Sequence, residues 1–300
     1  MKIFHNIEEY RKSDYYNGAA KSVVTLGKFD GVHIGHQKLI REITSKADKH
    51  GMISVVFAIE INDGFLLTHE ERAAYLESLG VEVLLECPFS REFMSMLPEE
   101  FIRSVLSDTL HARYAAVGTD FLFGHNRMGD ATTLRLLGES YGFRTLILEK
   151  ECYAQEEVSS TRVRSAVRNG DMELTSALLG RPYPVMGKVR HGRHIGATIG
   201  YPTVNQALEE GKVLPPDGVY ASVTTLPDFT TRKGLTNIGI RPTVGGTTRR
   251  AETTLLDFHS DLYGATICLD LLRFIRPETK FSSLEELEEQ ISRDQKAAWG

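Results

Sequence analysis

The chain has 300 residues, 41% hydrophobic and 25% charged, with 35 basic and 40 acidic side chains and a net charge of -5. This length suggests two domains able to bury cores without disulfides, and the acidic balance speaks against a nucleic-acid partner. No apolar run approaches the roughly 18 residues of a membrane span, no secretory leader is expected, and Cys87, Cys152 and Cys268 form no CxxC pair, so a cytoplasmic protein without a membrane partner is expected.

Strand and helix signals alternate through the first half. Ser22–Leu26 is a short β-branched run ending at Gly27, followed by helical spacing of Leu39, Ile40 and Ile43 within His36–Lys49. Ile53–Phe57 reads as the next strand, Glu70–Leu79 as a helix stopped by Gly80, and Val81–Glu86 as a third strand. Pro98–Leu110 is predicted as one amphipathic helix with Phe101, Ile102, Val105 and Leu106 on one face; Tyr114–Val117 and Thr145–Leu148 are predicted strands. The alternation predicts an α/β doubly wound parallel sheet. After Gly180, Pro182 and Pro184 the pattern changes to short segments rich in Gly, Thr and Val, such as Val219–Thr224, Thr253–Phe258 and Thr266–Phe274. That predicts an all-β sandwich or barrel, closed by a helix over Ser282–Ser292. The boundary is placed at Arg181, giving domains 1–181 and 182–300.

Chemistry concentrates first between the leading strand and its helix, in Gly27-Lys28-Phe29-Asp30-Gly31-Val32-His33-Ile34-Gly35-His36. Ligands of open α/β sheets bind at the carboxyl ends of strands. Glycines there let a phosphate approach the backbone, and the helix start offers free N–H groups to an anion. His33 and His36, three residues apart, add donors. The pair also matches half a zinc site, but no Cys or acidic ligand is suitably spaced. Neither a GxxxxGK[ST] loop nor a GxGxxG fingerprint occurs.

In its FDGVHxGH form this segment resembles the HxGH signature of nucleotidyltransferases, as found in bacterial bifunctional riboflavin kinase/FAD synthetases (FMN adenylyltransferases). Val117-Gly118-Thr119-Asp120-Phe121-Leu122-Phe123-Gly124 with Arg127, Gly129 and Asp130, and Ser159-Ser160-Thr161-Arg162-Val163-Arg164, are similar to further segments of that family's first domain. The resemblance implies an ATP site of Gly27, Phe29, Asp30, Gly31, His33, Gly35, His36, Asp120, Arg127, Ser160, Thr161 and Arg164. In it, His33 and His36 stabilise the transition state at the α-phosphorus, and Ser160, Thr161 and Arg164 grip the β and γ phosphates. The family's Pro-His-Pro element after the second strand is absent: Phe57 is followed by Ala58-Ile59-Glu60-Ile61-Asn62-Asp63-Gly64. A kinase whose first domain is degenerate is therefore the alternative reading.

The β-rich half carries Gly187-Lys188-Val189-Arg190-His191-Gly192, then Gly196 to Asn205 with Pro202-Thr203-Val204-Asn205, then Asn237 to Gly246, and Glu252 to Phe258. If extended, Thr203 and Asn205 point to one side and offer two oxygens to a hard cation. Glu252, Thr254, Leu256 and Phe258 would share a face with the carboxylate at its head, either at a solvent rim or as a base at a barrel mouth. These segments and Asp261-Leu262-Tyr263-Gly264 resemble the riboflavin kinase domain, whose PTAN reads PTVN here and whose common Arg is Ala197 here. The resemblance implies a six-stranded barrel, Mg2+ held by Thr203 and Asn205, and Glu252 taking the proton of the ribityl 5′-hydroxyl. It also implies an ATP site of Gly187, Arg190, His191, Gly192, Gly196, Thr203 and Asn205. Phe123 and Tyr201, with Glu252, are candidates to contact flavin. The expected activity is ATP-dependent conversion of riboflavin to FMN and of FMN to FAD. A non-enzymatic flavin sensor is the competing class, opposed by the retained Glu252, since a binder needs no base.

Overall fold

The computed structural model describes residues 1–60, 64–88, 90–190, 203–243, 246–258 and 260–300. His191, Gly192, Gly196 and Tyr201, named above, lie outside the described residues. The chain divides into two compact units, Met1–Asn62 with Arg72–Ser159, and Asp63–Glu71 with Ser160–Gly300.

The first unit is built on strands β1 (Lys2–Phe4), β2 (Ser22–Gly27), β3 (Ile53–Ile59), β4 (Val83–Cys87), β5 (Ala112–Gly118) and β6 (Arg144–Leu148). They form one sheet in the order β1-β4-β3-β2-β5-β6, parallel at every pairing. β2, β3 and β4 are buried almost throughout, which is why they read as unbroken apolar runs rather than alternating ones. The two hydroxyls this burial strands in β2 are satisfied locally: Ser22 donates to the Leu110 carbonyl (2.6 Å) and Thr25 to that of Ala116 (2.8 Å). Helix α1 (Ile34–His50) returns the chain from β2 to β3 and ends on Gly51 in the left-handed conformation.

One expectation for this unit is corrected. The single helix over 98–110 is an α-turn, Pro98–Phe101, running into a π-helix, Ile102–Ser107. The wider turn still buries Phe101, Ile102, Val105 and Leu106. Thr109 closes it by donating to the Ser104 carbonyl (2.6 Å) while accepting from Arg11 (2.9 Å). The edge strand β1 was not expected; three residues carry too little pattern to stand out.

In the second unit, helices α2 (Ser160–Arg168) and α3 (Met172–Leu179) precede strands β7 (Tyr183–Arg190), β8 (Thr203–Ala207), β9 (Gly218–Thr225), β10 (Thr231–Thr243), β11 (Gly246–Leu255) and β12 (Thr266–Arg276). The strands close into a barrel in the order β7-β8-β11-β10-β9-β12. α3 packs on β7 and β12, so the division by contact falls earlier than the boundary expected at Arg181. Inside the barrel, Ser222, Thr236 and Thr253 form a buried hydroxyl chain with 2.8 Å links. The C-terminal helix α4 (Leu284–Trp299) is capped by Ser283 and tied to β12 by Arg276, whose Nε lies 2.9 Å from an oxygen of buried Asp294. The strand predicted at 253–258 is instead β11, which ends at Leu255; Leu256 and Asp257 turn the chain, with Asp257 at φ 55°. The period-two face therefore never reaches Phe258, and Glu252 sits within the strand rather than at its head.

Candidate active sites

Strand order reverses between β2 and β5, the switch point at which an open parallel sheet leaves a crevice. The Gly27–His36 segment leaves the end of β2 there. Its turn is tight: Phe29 (φ 50°), Gly31 (φ 78°) and Val32 (φ 43°) are all left-handed. Phe29 is fully buried under the turn, its ring 5.0 Å from that of His36. Asp30 is buried in the same turn.

His33 is the N-cap of α1, its Nδ1 accepting from the His36 N–H at 3.4 Å. With Nδ1 an acceptor, the ring hydrogen of neutral His33 lies on Nε2, available to a ligand oxygen. The two imidazoles stack at 3.7 Å between centroids, 16° from parallel. Gly35 permits this, since a Cβ there would lie 3.3 Å from the His33 ring. Burial lowers the His33 pKa to about 4, against the opposing field of Asp120. Burial, reinforced by His33, holds His36 well below the usual histidine range. The buried Nδ1 of His36 has no hydrogen-bond partner. Two neutral rings held together against solvation suit a ligand that brings negative charge.

Asp120 follows β5, its carboxylate 3.0 Å from Lys150 Nζ. Lys150 also pairs with Glu157 (2.7 Å), and Lys38 on α1 pairs with Glu151 (2.8 Å). Sequence reasoning singled out neither lysine, because nothing in their spacing marks them. Of the remaining candidates, Arg127 is exposed with φ 58°. Phe123 is only 8% exposed and stacked on Phe121 at 5.5 Å, which leaves little of its ring to a flavin. Ser160, Thr161 and Arg164 begin α2 in the second unit, where Arg164 Nε donates to the Gly64 carbonyl (2.8 Å).

The barrel gathers the second constellation by register. Arg190 of β7 pairs with Asn205 of β8, Asn205 with Glu252 of β11, and Glu252 with Asn237 of β10. Directly paired residues point to one face, so these four form a polar row across four strands. Thr203 pairs with Thr254 on the same face. Ala251 and Thr253, flanking Glu252, are fully buried, so Glu252 points away from the barrel interior. Gly187 and Arg190, expected in a phosphate loop, lie within β7 instead. Gly187 is closely packed: its carbonyl accepts from the Gln206 amide (3.0 Å), and a Cβ would lie 3.1 Å from the Ala207 carbonyl. Asn237 belongs to the row but was not assigned a role from sequence, because only the register reveals its neighbour.

Thr203 and Asn205, on one face of β8, offer a hydroxyl and an amide oxygen, donors that fit a hard divalent cation completed by phosphate and water. Among the described residues, no group of three His, Cys, Asp or Glu side chains could hold a metal.

A family model described as FAD synthetase matches residues 17–162, and one described as riboflavin kinase matches residues 179–299. The chain is 37% identical over 286 residues to the bifunctional riboflavin kinase/FMN adenylyltransferase of Escherichia coli K12, covering 92% of this chain and 91% of that protein. It is 35% identical over 293 residues to the Bacillus subtilis protein of the same name, covering 93% and 92%. A crystal structure described as a macrolide-efflux protein from Streptococcus pneumoniae superposes with a TM-score of 0.85 at 30% identity, covering 99% of both chains. No helix among the described residues is long and apolar enough to cross a membrane.

Proposed function

Because the chain belongs to the bifunctional riboflavin kinase/FMN adenylyltransferase family, phosphorylating riboflavin and adenylylating FMN with ATP, we propose that residues 1–181 carry adenylyl transfer and residues 182–300 carry the kinase. The observation that carries the assignment is the pairing of two separate constellations with two different folds: the stacked His33–His36 pair at the sheet's switch point, and the Asn205–Glu252 row on the barrel.

In adenylyl transfer a phosphate oxygen of FMN attacks the α-phosphorus of ATP and pyrophosphate leaves. Little covalent help is needed; positioned donors around the phosphorus suffice. The Nε2 hydrogen of His33 is held ready by its cap, and the His36 ring is fixed behind it. Gly31 keeps the backbone open to the phosphates.

In the kinase reaction the ribityl 5′-hydroxyl attacks the γ-phosphorus and ADP leaves. Glu252 accepts the hydroxyl proton. Both reactions use a divalent metal, and Thr203 with Asn205 would hold Mg2+ in the barrel, where it would neutralise phosphate charge. The exposed Cys152 thiol suits a reducing cytoplasm.

The test is to incubate the protein with ATP and MgCl2, once with riboflavin and once with FMN, and to separate products by chromatography. FMN in the first tube and FAD in the second are expected. FMN without FAD would overturn the assignment of adenylyl transfer and favour the kinase-only alternative that the missing Pro-His-Pro element suggests. No product in either tube would leave a flavin sensor.

A further inference from the structure

Asn237 belongs to the barrel's polar row, beside Glu252, and the proposed kinase chemistry gives it no task. Its side chain has a fixed orientation. The amide nitrogen Nδ2 donates to Glu278 Oε1 at 2.7 Å. An ionised carboxylate only accepts, so the nitrogen must face Glu278 and the oxygen must face the other way. Gly239, two residues on, leaves room for this arrangement, because a Cβ there would run into the Glu278 carboxylate. The oxygen so directed, Oδ1, is buried and has no hydrogen-bond partner. Leaving a buried acceptor unmet is costly, and a fold retains such a group when a ligand supplies the donor.

That acceptor stands directly across the ladder from Glu252. Paired residues of neighbouring strands carry their Cβ atoms about 5 Å apart, close enough for Oδ1 and the Glu252 carboxylate to reach one ligand. Two acceptors side by side need two hydrogens. The 5′-hydroxyl of riboflavin has one, and it goes to Glu252 in the reaction. A second hydrogen, adjacent to the first, is carried by the 4′-hydroxyl on the next carbon of the ribityl chain. We infer that Asn237 is a substrate-binding residue of the kinase whose amide oxygen accepts a hydrogen bond from the ribityl 4′-hydroxyl, so that the 5′-hydroxyl is aimed at Glu252, with Glu278 setting the amide's orientation. The inference rests on Glu252 being the kinase base.

The test compares riboflavin with 4′-deoxyriboflavin as substrates for the full-length wild type and for Asn237→Ala, measuring FMN-type product formation and KM for each flavin and for ATP. One neutral hydrogen bond to substrate corresponds to roughly a tenfold change. With riboflavin, Asn237→Ala should lose about tenfold in kcat/KM while KM for ATP stays unchanged. With 4′-deoxyriboflavin the two enzymes should be equal. An equal loss on both flavins would overturn the inference, since Asn237 would then act through the fold or the base. If Asn237→Ala does not fold, Glu278→Ala takes its place: releasing the amide should also weaken riboflavin selectively, and an unchanged preference between the flavins would overturn the inference. Full activity of Glu252→Gln would overturn the reading beneath it as well. An inactive Glu252→Gln beside an Asn237→Ala enzyme equal to wild type on riboflavin would overturn this inference alone.

Discussion

At Gly35 a single hydrogen atom in place of a side chain decides how the first site is built. The residue has no need of a left-handed backbone; it is needed because the His33 ring lies where a Cβ would press against it, 3.3 Å away. Gly35→Ala should push that ring off His36 and lower kcat/KM for FAD formation by about tenfold, or ~1.4 kcal/mol in the transition state. FMN formation from riboflavin should not change, and parallel assays of the two activities check this. The same burial makes the histidines a source of acid sensitivity. His33 titrates at about 4 in the folded chain against 6.5 for the ordinary side chain. Protons therefore bind the unfolded chain first, so the stability is complete above about pH 6.5 and is lost as pH falls toward 4. At about 1.4 kcal/mol per unit of pKa difference, the loss is on the order of 3 kcal/mol. Urea denaturation at pH 7 and pH 4.5 should show it, with a shallower pH dependence in His33→Asn; equal slopes in the two proteins would remove His33 as the cause.

Among the elements, the segment 64–71 shows what a sequence can and cannot disclose. Thr68 and Glu71 have the spacing of a capping box, and the structure contains it: Glu71 N–H donates to Thr68 Oγ1 (3.1 Å) and Thr68 N–H to Glu71 Oε2 (2.8 Å). The helix expected over 70–79 is found as His69–Ser78. Nothing local, however, announces that Glu71 pairs with Lys212 in a fully buried ion pair, or that its other oxygen accepts from the Met186 N–H of β7 at 2.7 Å. Lys212 also donates to the Leu66 carbonyl (2.8 Å). Removing the ammonium alone leaves a buried carboxylate uncompensated, so Lys212→Met should cost about 3–5 kcal/mol. Adding Glu71→Gln should restore part of it, as read from denaturant midpoints monitored through kinase activity. The same distinction runs through both sites. Periodicity and punctuation exposed β2, α1 and the Gly27–His36 turn, because those depend on neighbours in sequence. The row Arg190–Asn205–Glu252–Asn237 depends on the register of four strands, and no single segment carries that information. The π-turn at 102–107 stayed hidden because its apolar residues face inward as they would in an ordinary helix.

For the whole molecule, two reactions in series share one intermediate, since the kinase makes the FMN that the adenylyltransferase consumes. Each proposed catalytic set draws its first-named groups from a different unit: His33 and His36 from one, Glu252 from the other. Substitutions at such independent sites should act separately. Glu252→Gln removes the base and should lower FMN formation by roughly 10²–10⁴ while FAD formation from supplied FMN stays intact. His36→Asn, which removes a ring from the stacked pair, should lower FAD formation by about 10²–10³ and leave the kinase untouched. Neither variant alone should convert riboflavin to FAD at a useful rate. An equimolar mixture should, because FMN released by the His36 variant is an ordinary substrate for the Glu252 variant. The rate should rise with the concentration of the second protein, and added FMN should compete with labelled FMN made in place. A mixture that stays silent, although each variant keeps its own remaining activity, would show that FMN does not pass through solution between the two sites, and the two reactions would then have to be treated as one coupled process.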